Sequence, residues 1–482
     1  MQQKLKMDWF SNVRGDVLSG MTVAFALIPE AIAFSIIAGV SPMVGLYASF
    51  CMAVIIAFTG GRKGMISAAT GAMALLVGSL IRDHGVEYLF AATILTGVIQ
   101  VILGVLKVGK LMSFVPHSVM TGFVNALAIL IFISQLDHFV GQGWIMYALV
   151  ALTLVIVYVF PRITKAVPAA LVAIIAVSIL SISLGLQVNT VGDMGTITSG
   201  FPLFHVPQVL MTWETLTIIL PYSLSLAAVG LLESLMTAAM LDDLTNSKSD
   251  KNREARGQGI ANIVVGFFGG MASCAMIGQS MINVKSGGRT RLSTLVSGVF
   301  LLFLIMVLGT FVKQIPMAAL VGVMIMVAIS TFDWSSLRSL HKIPFSDALV
   351  MVVTVVTVVA THNLSIGVLV GVVLSAVSFA WKIAKIRTTT HETTDGKTYA
   401  VSGQMFFGTM DHFVEQFNYD KDPQTVTIDF SHTHVWDQSA VNGIAKVIAK
   451  YQELDKKVEI LGLNEESLKI VERVGLSAPS GH

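Results

Sequence analysis

Two carboxylates stand where a carboxylate is costly. Glu30 follows Pro29 inside the apolar run ALIPEAIAFSIIAG (26–39), and Glu233 lies in AAVGLLESLMTAAM (227–240). An ionisable group inside such a run is a functional candidate by default, because hydrocarbon does not solvate charge. It can hold a proton or face a cation. At helical spacing Phe34 lies one turn beyond Glu30, and Thr237 one turn beyond Glu233, each on the same face. Either carboxylate could also be a paired structural residue, and Glu233 also suits a place near the inner interface.

Two short stretches suggest a second kind of chemistry. SAATGAM (67–73) and MASCAMIGQ (271–279) open apolar segments over 66–81 and 273–284. Both segments are too short to cross a bilayer, which takes about 20 residues. We expect each to begin near mid-membrane after an extended lead-in, SAA or MAS. A helix N-terminus offers unpaired N–H groups and about half a positive charge, which together make an anion site. Small residues at Ala69, Thr70, Gly71, Ala72, Ser273, Cys274 and Ala275 would let an anion approach the amides. Thr70 and Ser273 would add hydroxyls. The same small residues also suit close helix packing.

The elements around these groups read as a membrane protein. The 482 residues are 54% hydrophobic and 12% charged, against roughly a quarter charged in a soluble domain. Long apolar runs fill residues 1–387, while 388–482 have ordinary soluble composition. A net charge of +2 gives no reason to expect a nucleic-acid partner. We count about 14 apolar segments between residues 15 and 386. If the N-terminus is cytoplasmic and the segments alternate, the inside collects Lys4, Lys6, Arg14, Arg62, Lys63, Lys107, Lys110, Arg162, Lys165 and most later cations. The outside collects only Arg82 and Lys313, which supports that orientation. No cleavage site follows the basic stretch Met1–Phe10, so no removable signal peptide is expected. Cys51 and Cys274 sit in apolar segments, with neither disulfide nor metal spacing.

An internal similarity divides this region. FTGGRKGMISAATGAM (58–73) is similar to FFGGMASCAMIGQ (267–279), and VPHSVMTGFVNALAILIFIS (115–134) to IPMAALVGVMIMVAIS (315–330). The two pairs share an offset near 200 residues. The expectation is two seven-span repeats, about 12–190 and 210–387, of opposite orientation. Such repeats are typical of secondary transporters that bind substrate at broken helices near the midplane. Chance likeness between apolar helices is the alternative.

NVKSGGRTRLS (283–293) resembles the N-V-R-x-G-G-R-T segment of the sulfate permease (SulP) family, bacterial relatives of animal pendrin and prestin. ALIPEAIAFSIIAGVSPMVGLYASF (26–50) resembles that family's first two spans, and the tail resembles its STAS domain. The resemblance implies a polytopic α-helical fold of fourteen transmembrane segments in two inverted repeats. A core domain (spans 1–4 and 8–11) would move elevator-fashion against a gate domain (spans 5–7 and 12–14), in a homodimer. It further implies that the positions of Glu30 and Phe34 line the anion site, and that Glu233 neighbours it and helps hold a cation in sodium-coupled relatives.

This chain departs from the family in one place. Many relatives carry Arg where it has Gln279, and a neutral Gln where it has Glu30. An anion beside an ionised Glu30 would be repelled unless Glu30 takes a proton or a cation sits beside Glu233. We therefore expect cation-coupled uptake of a small anion, with H+ preferred to Na+. Bicarbonate and small carboxylates remain open, and the missing Arg weakens the case for sulfate. An anion exchanger or a passive channel or uniporter on the same fold is the alternative. No nucleophile-elbow, Walker or zinc motif is present, so neither an enzyme, an ATP-driven pump nor a metal or other cofactor is expected. The expected surroundings are the inner membrane, with the N-terminus and tail cytoplasmic.

The tail (388–482) alternates strand and helix signals and reads as a small α/β domain. AVSGQMFF, TVTIDF and KVEILGL read as strands, SAVNGIAKVIAKYQEL and EESLKIVERVG as helices. In anti-sigma antagonists a phosphorylated Ser follows the Asp of the strand-to-helix loop. Here Gln438 follows Asp437, and Ser439 reads as a helix N-cap. His432 and His434 read as loop histidines, open to solvent or to a metal. A dimer-supporting or regulatory module is expected.

Overall fold

A computed structural model describes residues 7–109, 115–164, 167–195, 200–210, 212–393 and 396–475. Lys4, Lys6, Lys110 and Lys165, which entered the orientation count, lie outside the described residues. The chain forms two units, Met1–Val372 and Val373–His482.

The first unit is helical. Its elements are α1 (Val13–Ala38), α2 (Pro42–Thr59), α3 (Gly71–His84), α4 (Val86–Val105), α5 (His117–Leu136), α6 (Trp144–Val159) and α7 (Ala169–Ser183). They continue with α8 (Trp213–Thr245), α9 (Lys251–Phe267), α10 (Ile277–Lys285), α11 (Arg291–Val312), α12 (Met317–Thr331), α13 (Phe345–Thr361) and α14 (Leu364–Ile383), the last reaching into the second unit. Among the described residues nine helices are long and apolar enough to cross a membrane, and α7 and α13 are shorter apolar helices. The expected count of about 14 crossings is therefore not established by helix length. α3 has 14 residues and α10 only nine. α9 carries Lys251, Arg253, Glu254 and Arg256 in its first half.

Packing divides these helices into two groups. In one, α1 and α2 pack on α11, α2 and α4 on α9, and α3 and α4 on α8. In the other, α5 packs on α12 and α13, and α6 on α7 and α12. The α4–α9 crossing is close because both helices present glycine. A Cβ on Gly97 would lie 2.5 Å from the Gly259 carbonyl oxygen, and a Cβ on Gly259 would lie 2.5 Å from that of Gly97. Small residues let helix backbones approach where burial against lipid gives no drive.

Between α2 and α3, and again between α9 and α10, the chain runs extended. β1 (Ser67–Ala68) and β2 (Cys274–Ala275) pair antiparallel, Ser67 with Ala275 and Ala68 with Cys274. Non-helical backbone survives at membrane depth only where its polar groups find partners. Each β-segment bonds the other, and the surrounding helices supply the rest. Ala69 N donates to Ser49 Oγ (3.1 Å), Ser273 N to Asn262 Oδ1 (2.9 Å) and Ala275 N to Ser234 Oγ (3.1 Å). Asn262 Nδ2 returns a bond to Ser273 O at 3.0 Å.

The second unit is a four-stranded sheet in the order β3 (Arg387–Thr393), β4 (Gly396–Met405), β5 (Thr425–Val435), β6 (Lys457–Leu461). β3 and β4 pair antiparallel, and the other pairs are parallel. α15 (Met410–Val414), α16 (Gln438–Gln452) and α17 (Glu465–Val474) complete it, around Tyr399, Ile428, Phe430, Val441 and Ile444. β5 continues past the expected strand because Ser402 and Gln404 of β4 pair with His432 and His434. These two histidines are thus strand residues, not loop residues. The N-cap of α16 is Asp437, which accepts from Ala440 N at 2.9 Å, so Ser439 lies inside the helix. β3 escaped notice because RTTTHET has no apolar alternation.

Candidate functional site

The two short helices meet at a cavity of about 230 Å³. Thr70 caps α3, its Oγ1 accepting from Met73 N at 3.4 Å. The first amides of α3 have no acceptor within the helix, and Thr70 and Gly71 line the cavity. A Cβ at Gly71 would lie 2.9 Å from the Phe34 ring and 3.0 Å from Ile131, so glycine keeps this helix start open. α10 begins at Ile277 rather than at 273, because the β1–β2 pairing and the bond from Met276 N to Ile66 O (2.8 Å) hold the preceding residues extended. Its first turn, Ile277, Gly278 and Gln279, lines the same cavity.

α1 contributes Glu30 and Phe34, α8 contributes Glu233, and α5 and α12 supply an apolar wall that includes Phe123 and Met326. The cavity therefore lies where one packing group faces the other. Gln279 Nε2 donates to Glu30 Oε1 at 2.7 Å, while Gln279 Oε1 is buried without a hydrogen-bond partner. Glu233 Oε2 accepts from the Cys274 thiol at 3.0 Å, and Cys274 Sγ lies 3.2 Å from Thr70 Oγ1. Neither carboxylate has an ion-pair partner among the described residues. Among the described residues no Lys or Arg lines the cavity. Positive potential there comes from two helix N-termini, and negative charge from two carboxyl groups.

Of the residues expected at the site, Glu30, Phe34, Thr70, Gly71 and Glu233 line the cavity. Ala69 and Ala72 are buried beside it but do not line it. Ser273 spends its hydroxyl on Met271 O (3.1 Å), and Ala275 N is taken by Ser234. Thr237 turns its hydroxyl to Glu233 O at 2.7 Å. Cys274 reaches the cavity through Glu233 rather than as a wall residue. Ile277, Gly278, Ile131 and Met326 were not expected. Asn262 and Ser234, which hold the extended segments, are visible in the sequence only as isolated polar residues in apolar helices.

The comparisons agree on a lineage. The "Sulfate permease family" model matches residues 13–146 and 142–354, and the "STAS domain" model matches residues 385–479. YbaR of Bacillus subtilis strain 168, which bears a sulfate-transporter name, is 59% identical over 98% of this chain and 98% of its own length. The bicarbonate transporter BicA of a Picosynechococcus species is 27% identical over 97% of this chain and 92% of its own. The transmembrane domain of a cyanobacterial BicA superposes with a TM-score of 0.68 at 28% identity, covering 76% of this chain and 98% of that one. Murine Solute Carrier 26 family member A9, an anion transporter solved in its inward-facing state, shares the fold. Its TM-score is 0.85 at 18% identity, over 97% of this chain and 88% of that one. With helices, cavity and matched segments together, this chain belongs to the sulfate permease family and carries a C-terminal STAS domain.

Proposed function

We propose that the protein is a multi-pass secondary transporter of a small anion, coupled to a cation, with the proton preferred. The observation that carries this is the pairing of two helix N-termini with two carboxyl groups in one cavity that, among the described residues, no basic side chain lines. An anion is drawn by the N-termini. It meets two carboxylates that no arginine or lysine neutralises, so a proton or cation must arrive with it. Glu30 is the coupling group, and Glu233, with Thr237 behind it, the second ion-binding candidate. Bicarbonate, sulfate and small carboxylates are the candidate substrates. The relatives' names support the first two.

Alternating access follows if the α1–α4 and α8–α11 group shifts past the α5–α7 and α12–α14 group, since the cavity lies between them. The two halves are then inverted repeats, residues 1–387 the transport domain and 388–482 its cytoplasmic module, in a homodimer with a cytoplasmic N-terminus. Uptake of labelled bicarbonate, sulfate and fumarate into proteoliposomes, with and without an inward proton or sodium gradient, tests the reading. Accumulation of one anion only with a gradient supports it. Passive, current-carrying flux indifferent to any gradient replaces it with a channel or uniporter, and counter-anion dependence with an exchanger.

A further inference from the structure

A second cavity, of about 280 Å³, opens where residues 61–63 after α2, 245–249 at the end of α8, Val284 near the end of α10 and 288–289 before α11 converge. Its walls carry Arg62, Lys63, Lys248 and Arg289 with Thr245, Ser247 and Ser249, and no carboxylate among the described residues. The Thr245 hydroxyl donates to Leu241 O and that of Ser249 to Asp242, both at 2.7 Å, which leaves Ser247 as the hydroxyl donor. Four nearby acids are committed behind the wall, while Asp243 lines an adjoining concavity together with Lys248. Asp242 takes Arg62 Nε (3.1 Å) and Lys251 Nζ (2.8 Å), and Lys63 pairs with Asp8. Glu254 accepts from Gly61 N (2.7 Å) and Arg62 N (3.0 Å), and Asp16 from Arg289 N (2.7 Å). Lys248 and Arg289 have no ion-pair partner among the described residues. Arg289 and Arg62 repel one another across the space. A cytoplasmic surface is expected to be basic, but that rule does not ask for four cations around one concavity with two left unneutralised.

We propose that this cavity binds a phosphate-type oxyanion, held by Lys248 and Arg289, which come from different turns, and by the Ser247 hydroxyl. Guanidinium and ammonium donors with hydroxyls suit such an oxyanion, because charge-assisted bonds are the strong ones. The placement at the cytoplasmic end rests on the orientation proposed above; the binding itself does not. α8 and α10 each reach both cavities, through Glu233 and Thr245, and through Ile277 and Val284. A ligand here therefore touches two helices that also line the transport cavity. The phosphoryl group could belong to an anionic lipid or to a soluble phosphate.

The test is titration calorimetry of the full chain in maltoside detergent with inorganic phosphate. Wild type is expected to bind, and Lys248→Ala and Arg289→Ala each to weaken binding by about tenfold, the loss of one charge-assisted bond. Lys248 is exposed, so its removal leaves the fold intact even if Arg289→Ala does not. Gln279→Ala, in the transport cavity, is expected to leave phosphate binding in place. Binding that resists Lys248→Ala, or is lost with Gln279→Ala, overturns the proposal, as does no binding at all. None of these readings depends on transport. In a second arm, added phosphatidylglycerol that displaces phosphate makes a lipid headgroup the source. Phosphate binding that persists makes the source soluble.

Discussion

Gln279 Nε2 donates to Glu30 Oε1 at 2.7 Å, joining the middle of α1 to the first turn of α10 at the wall of the cavity that both helices line. A neutral amide orients the carboxyl group without supplying a compensating charge, which is what the coupling role proposed for Glu30 requires. The predictions below start from that contact.

Glu30→Gln removes the ionisable group and keeps its shape. Uptake by this variant is expected to lose its dependence on an inward proton gradient while anion binding survives. Proteoliposome uptake measured across a pH series checks it, and a pH response identical to wild type removes Glu30 from the coupling role.

Gln279→Arg places a fixed positive charge beside Glu30 and between the two helix N-termini. The anion then meets a compensated site. Gradient-independent exchange is expected, with the apparent KM for a dianion falling by about tenfold, the worth of one charge-assisted bond. Counterflow of labelled sulfate measures it.

Cys274→Ala leaves the Glu233 carboxylate without its thiol donor and breaks the link to Thr70. Uptake kcat is expected to fall by about tenfold, again the scale of a bond to a charged group. Cys274→Ser, which restores a donor, should recover most of it. Equal loss in both variants would make Cys274 a packing residue only.

Gly97→Val drives side-chain atoms into the Gly259 carbonyl and Ile263 N, 2.5 and 2.6 Å from the first added carbon. Backbone cannot retreat there, and the cost is about 3 kcal/mol. A lowered melting temperature in detergent reports it. Gly78→Ala, whose added carbon meets nothing within 4 Å, is the control and should melt no lower than wild type.

In the STAS domain Asp422 is buried and accepts from Lys397 Nζ (2.8 Å), Tyr399 OH (2.8 Å) and Tyr451 OH (2.5 Å). Burial by itself would raise this carboxyl, but the bonds from Lys397, Tyr451 and Tyr399 outweigh it and hold it below its ordinary value of 3.8. A depressed folded-state value stabilises the domain above the unfolded value, and that contribution is lost as pH falls from about 3.8 through the folded one. Hydrogen exchange of β4 and β5 in the full chain, taken relative to the intrinsic rate at each pH, should therefore lose protection below pH 4. Asp422→Ala should lower that protection at neutral pH by an amount equivalent to about 2 kcal/mol, since it leaves the buried Tyr399 and Tyr451 hydroxyls without their acceptor.

The sequence by itself determined much here, because hydrocarbon is a strict solvent. Apolar runs, small-residue helix starts and misplaced carboxylates can each be read without coordinates, and with the family resemblance, which pointed to Glu30 and Phe34, they named five residues, Glu30, Phe34, Thr70, Gly71 and Glu233, that line one cavity. Local pattern also located α16 and β6. The tertiary structure decided what depends on partners distant in the chain. The pairing of Ser67 with Ala275 delays the start of α10 to Ile277 and so sets which amides face the cavity. The β4–β5 ladder carries His432 and His434 onto a strand. Asn262 and Ser234 look anomalous until the extended backbone they satisfy is in place. A hydrogen bond between residues about 200 positions apart leaves no trace in hydropathy, because periodicity records the face a residue presents and not the group it meets.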